Sequence, residues 1–228
     1  MNIPARGAEG PTFNIPLLLW RLVLTDRSRW GLMCATVKSK QFDKHVALDE
    51  AMDLFWERGY HATSIQDLVD RLGVNRQSLY DTYGGKEQLF LSALERYREL
   101  QDAPLRRTLA REGPVGVVLR EFLQEMIKNL TEGDCKGCFM TNTTTGLAGQ
   151  DESIFKICAA NHRQLEAAFS GLLLRAQQNG EIAPDRPLLT MARFLVNTIN
   201  GLGVTAKATR DKKVLEEIVG VALGALAL

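Results

Sequence analysis

From Phe42 onward, apolar residues recur every three or four positions and polar residues fill the faces between them. That period belongs to amphipathic helices, and no alternating run of strand type stands out. The expected fold is therefore all-α. Residues 43–58 place Val46, Ala47, Ala51, Leu54 and Phe55 on one face, and Gly59 closes the helix. A short helix follows, opened by Thr63 or Ser64 and running to about Leu72, with Ile65, Leu68, Val69 and Leu72 inward. Gly73 breaks it, Asn75 caps the next helix over 76–82, and Gly84-Gly85 break again. Residues 86–101 read as a longer helix with Leu89, Phe90, Ala93, Leu94 and Tyr97 inward, ending before Pro104. Beyond it the pattern predicts helices over 114–130, 137–148, 152–179, 187–208 and 212–226.

The expected organisation has three parts. Residues 1–40 are Pro/Gly-rich, then briefly apolar without a sustained period, and read as a poorly ordered N-terminal extension. Met33 is an alternative natural start, which would make the upstream residues a product of a misplaced start codon. Residues 41–102 read as a compact four-helix module, and 104–228 as a second helical domain.

The span 64–83 carries the chemistry. Its first helix supplies an inward apolar stripe, and Gly73 supplies a turn residue that tolerates positive φ. Val74 plugs the gap between the helices. The second helix keeps Leu79 inward and turns Arg76, Gln77, Ser78 and Tyr80 outward. Arg and Gln on such a helix can make bidentate contacts to base edges in a major groove. Thr63, Ser64 and Asn75 stand at helix N-termini, where free N–H groups and the helix dipole favour a phosphate. Lys86 adds a point charge, and Tyr80 and Tyr83 add hydroxyls. For Tyr83 a packing role is an equal alternative. An ordinary helical hairpin with a Gly turn explains the spacing but not the caps and the polar outward face.

Composition narrows the setting. The chain has 228 residues, 45% hydrophobic and 24% charged, with a net charge of +1. That excludes a disordered chain and a polycation, so any basic groups for DNA must be local. The apolar stretch at 16–24 is interrupted by Arg21 and falls short of the roughly 20 residues of a membrane helix. With no good signal-peptide cleavage site, a cytoplasmic protein is expected. Four cysteines (Cys34, Cys135, Cys138, Cys158) in a chain of this length are not a disulfide framework.

Cys135 and Cys138 form a C-x-x-C with Lys136 between them, which raises the alternative of a thiol-based redox or electrophile sensor. The alternative reading is two buried small apolar side chains. With no second C-x-x-C and no His pair near His162, no metal is expected, and no cofactor. A thiol enzyme lacks the strand framework it needs. A protein-interaction module leaves the polar outward helix unexplained, and an activator is not separable from a repressor.

Residues 42–97 resemble the DNA-binding domain of TetR/AcrR-type repressors, through LFWERGY followed by ATSI, then LGVNRQSLY and GGKEQLF. The segment KGCFMTNTT at 136–144 resembles the start of a ligand-domain helix in the same family. The Tyr83-Gly84-Gly85 run departs from the family's usual Phe and polar residue before the Lys. The resemblance implies a homodimer on a double-stranded, partly palindromic DNA operator, released by a small-molecule effector of unknown identity. The dimer surface is expected on the last two helices, from Phe194, Leu195, Ile199 and Leu202 on one and Val214, Ile218, Val221 and Leu226 on the other. An effector pocket is expected among Phe122, Met126, Phe139, Met140, Phe155 and Phe169; simple core is the blander reading for these residues. Thr143, Thr144, Thr145, Asn142 and Asn161 would add polar contacts if they face inward.

Overall fold

A computed structural model describes residues 43–132 and 136–227. The expectations about the N-terminal extension, the Met33 start and Cys135 lie outside those residues. Among the described residues there are nine helices and no strand. They are α1 (Lys44–Arg58), α2 (Ile65–Leu72), α3 (Arg76–Tyr83), α4 (Lys86–Leu109), α5 (Val115–Thr131), α6 (Phe139–Gly146), α7 (Glu152–Gln178), α8 (Leu188–Thr209) and α9 (Lys212–Leu226). None is long and apolar enough to cross a membrane.

Helix ends fall where local chemistry puts them. Asp43 caps α1 by accepting from the His45 and Val46 amides. Asp151 and Asp211 cap α7 and α9 in the same way. The break expected at Pro104 does not occur, and α4 runs through it to Leu109. Proline forfeits one backbone hydrogen bond. Here the helix is held on both sides of it: Arg106 reaches back to Asp102, and Gln164 of α7 donates to the same carboxylate.

Two apolar cores result. One joins α5, α7, α8 and α9 around Leu119, Leu123, Phe169, Leu173, Leu195 and Leu202, all fully buried. The other begins in the first three helices and α4, around Phe55, Leu68, Leu79 and Phe90. It does not close on itself. Phe139 at the start of α6 meets Phe90 and Tyr97 edge-on, with centroids 5.8 and 5.7 Å away. Met140, Ile154 and Cys158 join it from α6 and α7. Each such large side chain contributes about 1.5–3 kcal/mol on burial, so the helix-turn-helix is fastened to α6 and α7 by shared apolar packing.

Some apolar positions depart from expectation. Val46 is 51% exposed; it stands in the first turn of α1, ahead of the face that α4 covers. Leu195, Leu202 and Leu226 are buried within the chain's own core, and Ile199 and Ile218 pack against it. Of the expected dimer stripes, Phe194 and Val221 stand exposed, joined by Val204.

Candidate nucleic-acid interface and adjoining cavity

The turn between α2 and α3 is built from two caps and a glycine. Ser64 and Asp67 form a capping box: the Asp67 amide donates to Ser64 Oγ at 3.0 Å, and the Ser64 amide to Asp67 Oδ2 at 2.8 Å. Gly73, at φ 62°, ends α2 in the left-handed region that suits glycine. Asn75 Oδ1 then accepts the Ser78 amide at 2.7 Å and starts α3. Leu79 is buried beneath, so α3 is locked in rotation about its axis.

That rotation decides which groups face outward. Arg76 and Gln77 are exposed; Gln77 Nε2 donates to Asp81, and Arg76 makes no hydrogen bond or ion pair among the described residues. Tyr80 is 42% exposed, and Ser78 is half-buried. Ser64 and Asn75 are exposed at their helix starts. Thr63, by contrast, is fully buried, and its hydroxyl donates to the Gly59 carbonyl at 2.8 Å. Its side chain therefore serves the turn after α1 rather than the surface.

Tyr83 and Lys86 are both partly engaged by the fold. The Tyr83 hydroxyl donates to the Lys44 carbonyl at 2.8 Å, tying the end of α3 to the start of α1. Burial pushes its pKa up, with Asp43 and Asp49 adding to the effect. Lys86 Nζ lies 4.3 Å above the Tyr60 ring, and partial burial lowers its pKa. Lys44 itself was missed in the sequence; its nearness to Tyr83 is a long-range contact with no local signal.

A charge network links this module to the loop before α6. Arg71 of α2 pairs with Glu50 at 2.6 Å and Asp53 at 3.1 Å on α1. Lys136 Nζ lies 2.9 Å from Asp53 and 3.0 Å from Glu57, and 5.7 Å above the Trp56 ring. Burial opposes the Lys136 charge, but the two carboxylates outweigh it and hold its pKa above the usual lysine value. The ammonium thus pairs with the carboxylates of α1. Cys138 is half-buried and accepts from the Tyr97 hydroxyl at 3.5 Å, and Cys158 is buried, which raises its pKa.

The same loop is anchored on its other side. Asn142 Nδ2 donates to the Lys136 carbonyl at 2.9 Å, while Asn142 Oδ1 accepts from Lys207 of α8 at 3.3 Å. Gly137, at φ 68°, lies so close to α8 that a Cβ there would stand 3.2 Å from the Gly203 carbonyl oxygen.

Next to this loop, α6, α7 and Asn200 of α8 line a cavity of about 410 Å³ that is open to solvent. Met140 and Phe155 line it, as do Thr144, Thr145 and Asn161. The other residues expected there are elsewhere. Phe122 and Phe169 stack edge-on in the core of α5, α7, α8 and α9, Met126 packs against that core, and Phe139 sits in the core of the first four helices. Helical spacing identified their faces as apolar without telling a cavity wall from a packed interior.

Comparison with known proteins places these elements. Residues 47–93 match the family described as bacterial regulatory proteins, tetR family, and residues 118–221 match the tetracyclin repressor-like C-terminal domain. The HTH-type transcriptional regulator YezE of Bacillus subtilis (strain 168) is 37% identical over 191 residues, 83% of this chain and 98% of YezE. The HTH-type transcriptional repressor ComR of Escherichia coli (strain K12) is 33% identical over 188 residues, 82% of this chain and 90% of ComR. A solved structure of the TetR family regulator CifR, a cysteine mutant complexed with 26-bp double-strand operator DNA, superposes with a TM-score of 0.74 at 27% identity, covering 86% of this chain and 100% of that one. With its helix-turn-helix at 64–83 and its all-helical second half, the chain belongs to the tetR family of bacterial transcriptional regulators.

Proposed function

We propose that the protein is a homodimeric repressor that reads a partly palindromic operator with α3 and is released by a small molecule bound beside α6. The observation that carries the reading is α3 itself: a helix fixed by Asn75 and Leu79 that turns Arg76, Gln77 and Tyr80 to solvent. The operator complex of CifR and the repressor named in ComR support DNA and repression as the partner and the outcome. Two such helices entering successive major grooves stand about 34–36 Å apart.

The dimer follows from apolar surface on the last two helices. Phe194 and Val204 on α8 and Val221 on α9 are 41%, 51% and 76% exposed. Exposed apolar groups of this size on two helices packed together favour a self-complementary contact. Release runs through residues 136–138. That loop is bonded to α1 through Lys136 and to α6 through Asn142, and Gly137 lies close against α8 at Gly203. A ligand that displaces α6 therefore also pulls on α1, and the recognition helices lose their spacing.

The test is a reporter driven by the gene's own upstream region, with wild type and Val221→Glu. Wild type lowers expression and sediments as a dimer, while Val221→Glu sediments as a monomer and relieves repression. A reporter that rises with wild type contradicts repression, and a Val221→Glu dimer contradicts the interface.

A further inference from the structure

Resting on that reading, we infer that the cavity takes a small organic carboxylate with an apolar body, the acid held by Arg163, Asn161 and Asn200. Many hydrogen-bonding groups at the cavity are already committed. Three threonine hydroxyls at the cavity have given their protons away: Thr144 to the Met140 carbonyl at 2.8 Å, Thr145 to the Thr141 carbonyl at 3.1 Å, and Thr141 to Asn200 Oδ1 at 3.1 Å. That last bond also occupies the acceptor oxygen of Asn200 and leaves its Nδ2 hydrogens over.

The uncommitted groups include three donors, the Arg163 guanidinium and the Nδ2 groups of Asn161 and Asn200, beside the Asn161 Oδ1 acceptor. Neither Arg163 nor the Asn161 amide has a hydrogen-bond or ion-pair partner among the described residues, and both line the cavity. Among the described residues no Asp or Glu lines it. His162, also at the cavity, is paired at 3.4 Å with Glu166, whose carboxylate is shared with Arg193. The nearby acid is thus engaged by His162 and Arg193 and leaves Arg163 uncompensated. A cation would meet no counter-charge here. A carboxylate meets a planar guanidinium that matches it with two N–H groups, plus two amides.

The remainder of the wall is apolar. Met140, Phe155 and Leu165 supply it, and Phe155 is 50% exposed. A volume of about 410 Å³ lies within the roughly 300–1,000 Å³ of small-molecule sites. An acid with a short chain or one ring fits that combination, with its apolar part against Phe155 and Met140.

The test pairs acids with their uncharged amides: phenylacetate with phenylacetamide, and hexanoate with hexanamide. Each is titrated calorimetrically into the full chain and into Arg163→Gln. Arg163 is exposed and ties no two elements together, so the variant is expected to fold, and its melting curve checks that. The acids should bind wild type roughly ten- to a hundredfold tighter than the amides, the worth of charge-assisted hydrogen bonds, and Arg163→Gln should erase the difference. Equal affinities, a preference that survives in Arg163→Gln, or no binding by either acid overturns the assignment. Operator release by the amides alone would also overturn it while leaving the regulator reading intact. An unliganded chain that binds no DNA would defeat the regulator reading and leave the acid preference standing.

Discussion

The Lys136 ammonium lies 2.9 Å from the Asp53 carboxylate, joining the loop before α6 to the first helix of the DNA-binding module across 83 positions of sequence. The pair is four-fifths shielded on the lysine side, with side-chain exposures of 20% and 24%. A double-mutant cycle with Lys136→Ala and Asp53→Ala should return a coupling of about 1 kcal/mol, shrinking as salt is added. Asp53 also holds Arg71, so only the cycle isolates the Lys136 share. A coupling of zero at low salt would mean that the loop is not tied to α1 by this pair.

Gly137 stands where a side chain has neither the backbone nor the room. Its φ of 68° costs an ordinary residue about 1–2 kcal/mol. An added Cβ would stand 2.8 Å from Lys207 Cδ and 3.2 Å from the Gly203 carbonyl oxygen. Gly137→Ala should therefore lower the melting temperature, and adding Lys207→Ala should recover only part of the loss, because the carbonyl and the backbone angle remain. Full recovery in the double variant would place the whole cost in the flexible lysine.

The capping box of α2 sets an acid-side dependence. The Ser64 hydroxyl holds the Asp67 pKa below the usual carboxylate value, helped by the Ser64 amide and Arg58. A group with a depressed folded pKa adds stability above its unfolded value, about 3.9 for Asp, and loses it as pH falls through the folded pKa. Ser64→Ala should cost about 1 kcal/mol at neutral pH, and its stability should fall less steeply than wild type on acidification. Parallel acid limbs for the two proteins would detach Asp67 from the cap.

Much of this was legible in the sequence because helix ends are written locally. Ser64, Gly73 and Asn75 announce the turn, and all three act as caps in the structure. The inward set of α4, Leu89 through Tyr97, is buried as its period required. Pro104 misled because its lost hydrogen bond is a local cost, while the contacts that carry α4 through it come partly from Gln164, 62 positions from the Asp102 it bonds. Phe139 and Lys136 illustrate the same limit. Periodicity says that Phe139 is buried, but not that it packs against Phe90 and Tyr97. Composition says that Lys136 neighbours two cysteines, but not that its charge is spent on Asp53 and Glu57. The cavity was legible only in part, since Met140 and Phe155 share their helical pattern with residues that fill the core.

The central claim is that Arg76 and Gln77 on α3 read bases while Lys86 contributes charge alone. It is tested most directly by selecting bound sequences from a random duplex pool with wild type, then measuring affinity for the selected site and its single-base variants. Arg76→Ala or Gln77→Ala should relax the preference at one position in each half-site and cost about 1–3 kcal/mol. Lys86→Ala should weaken binding to every sequence alike and flatten the salt dependence by about one unit of slope. The opposite pattern, with uniform weakening from Arg76→Ala and altered base preference from Lys86→Ala, or no sequence selected at all, would contradict the account.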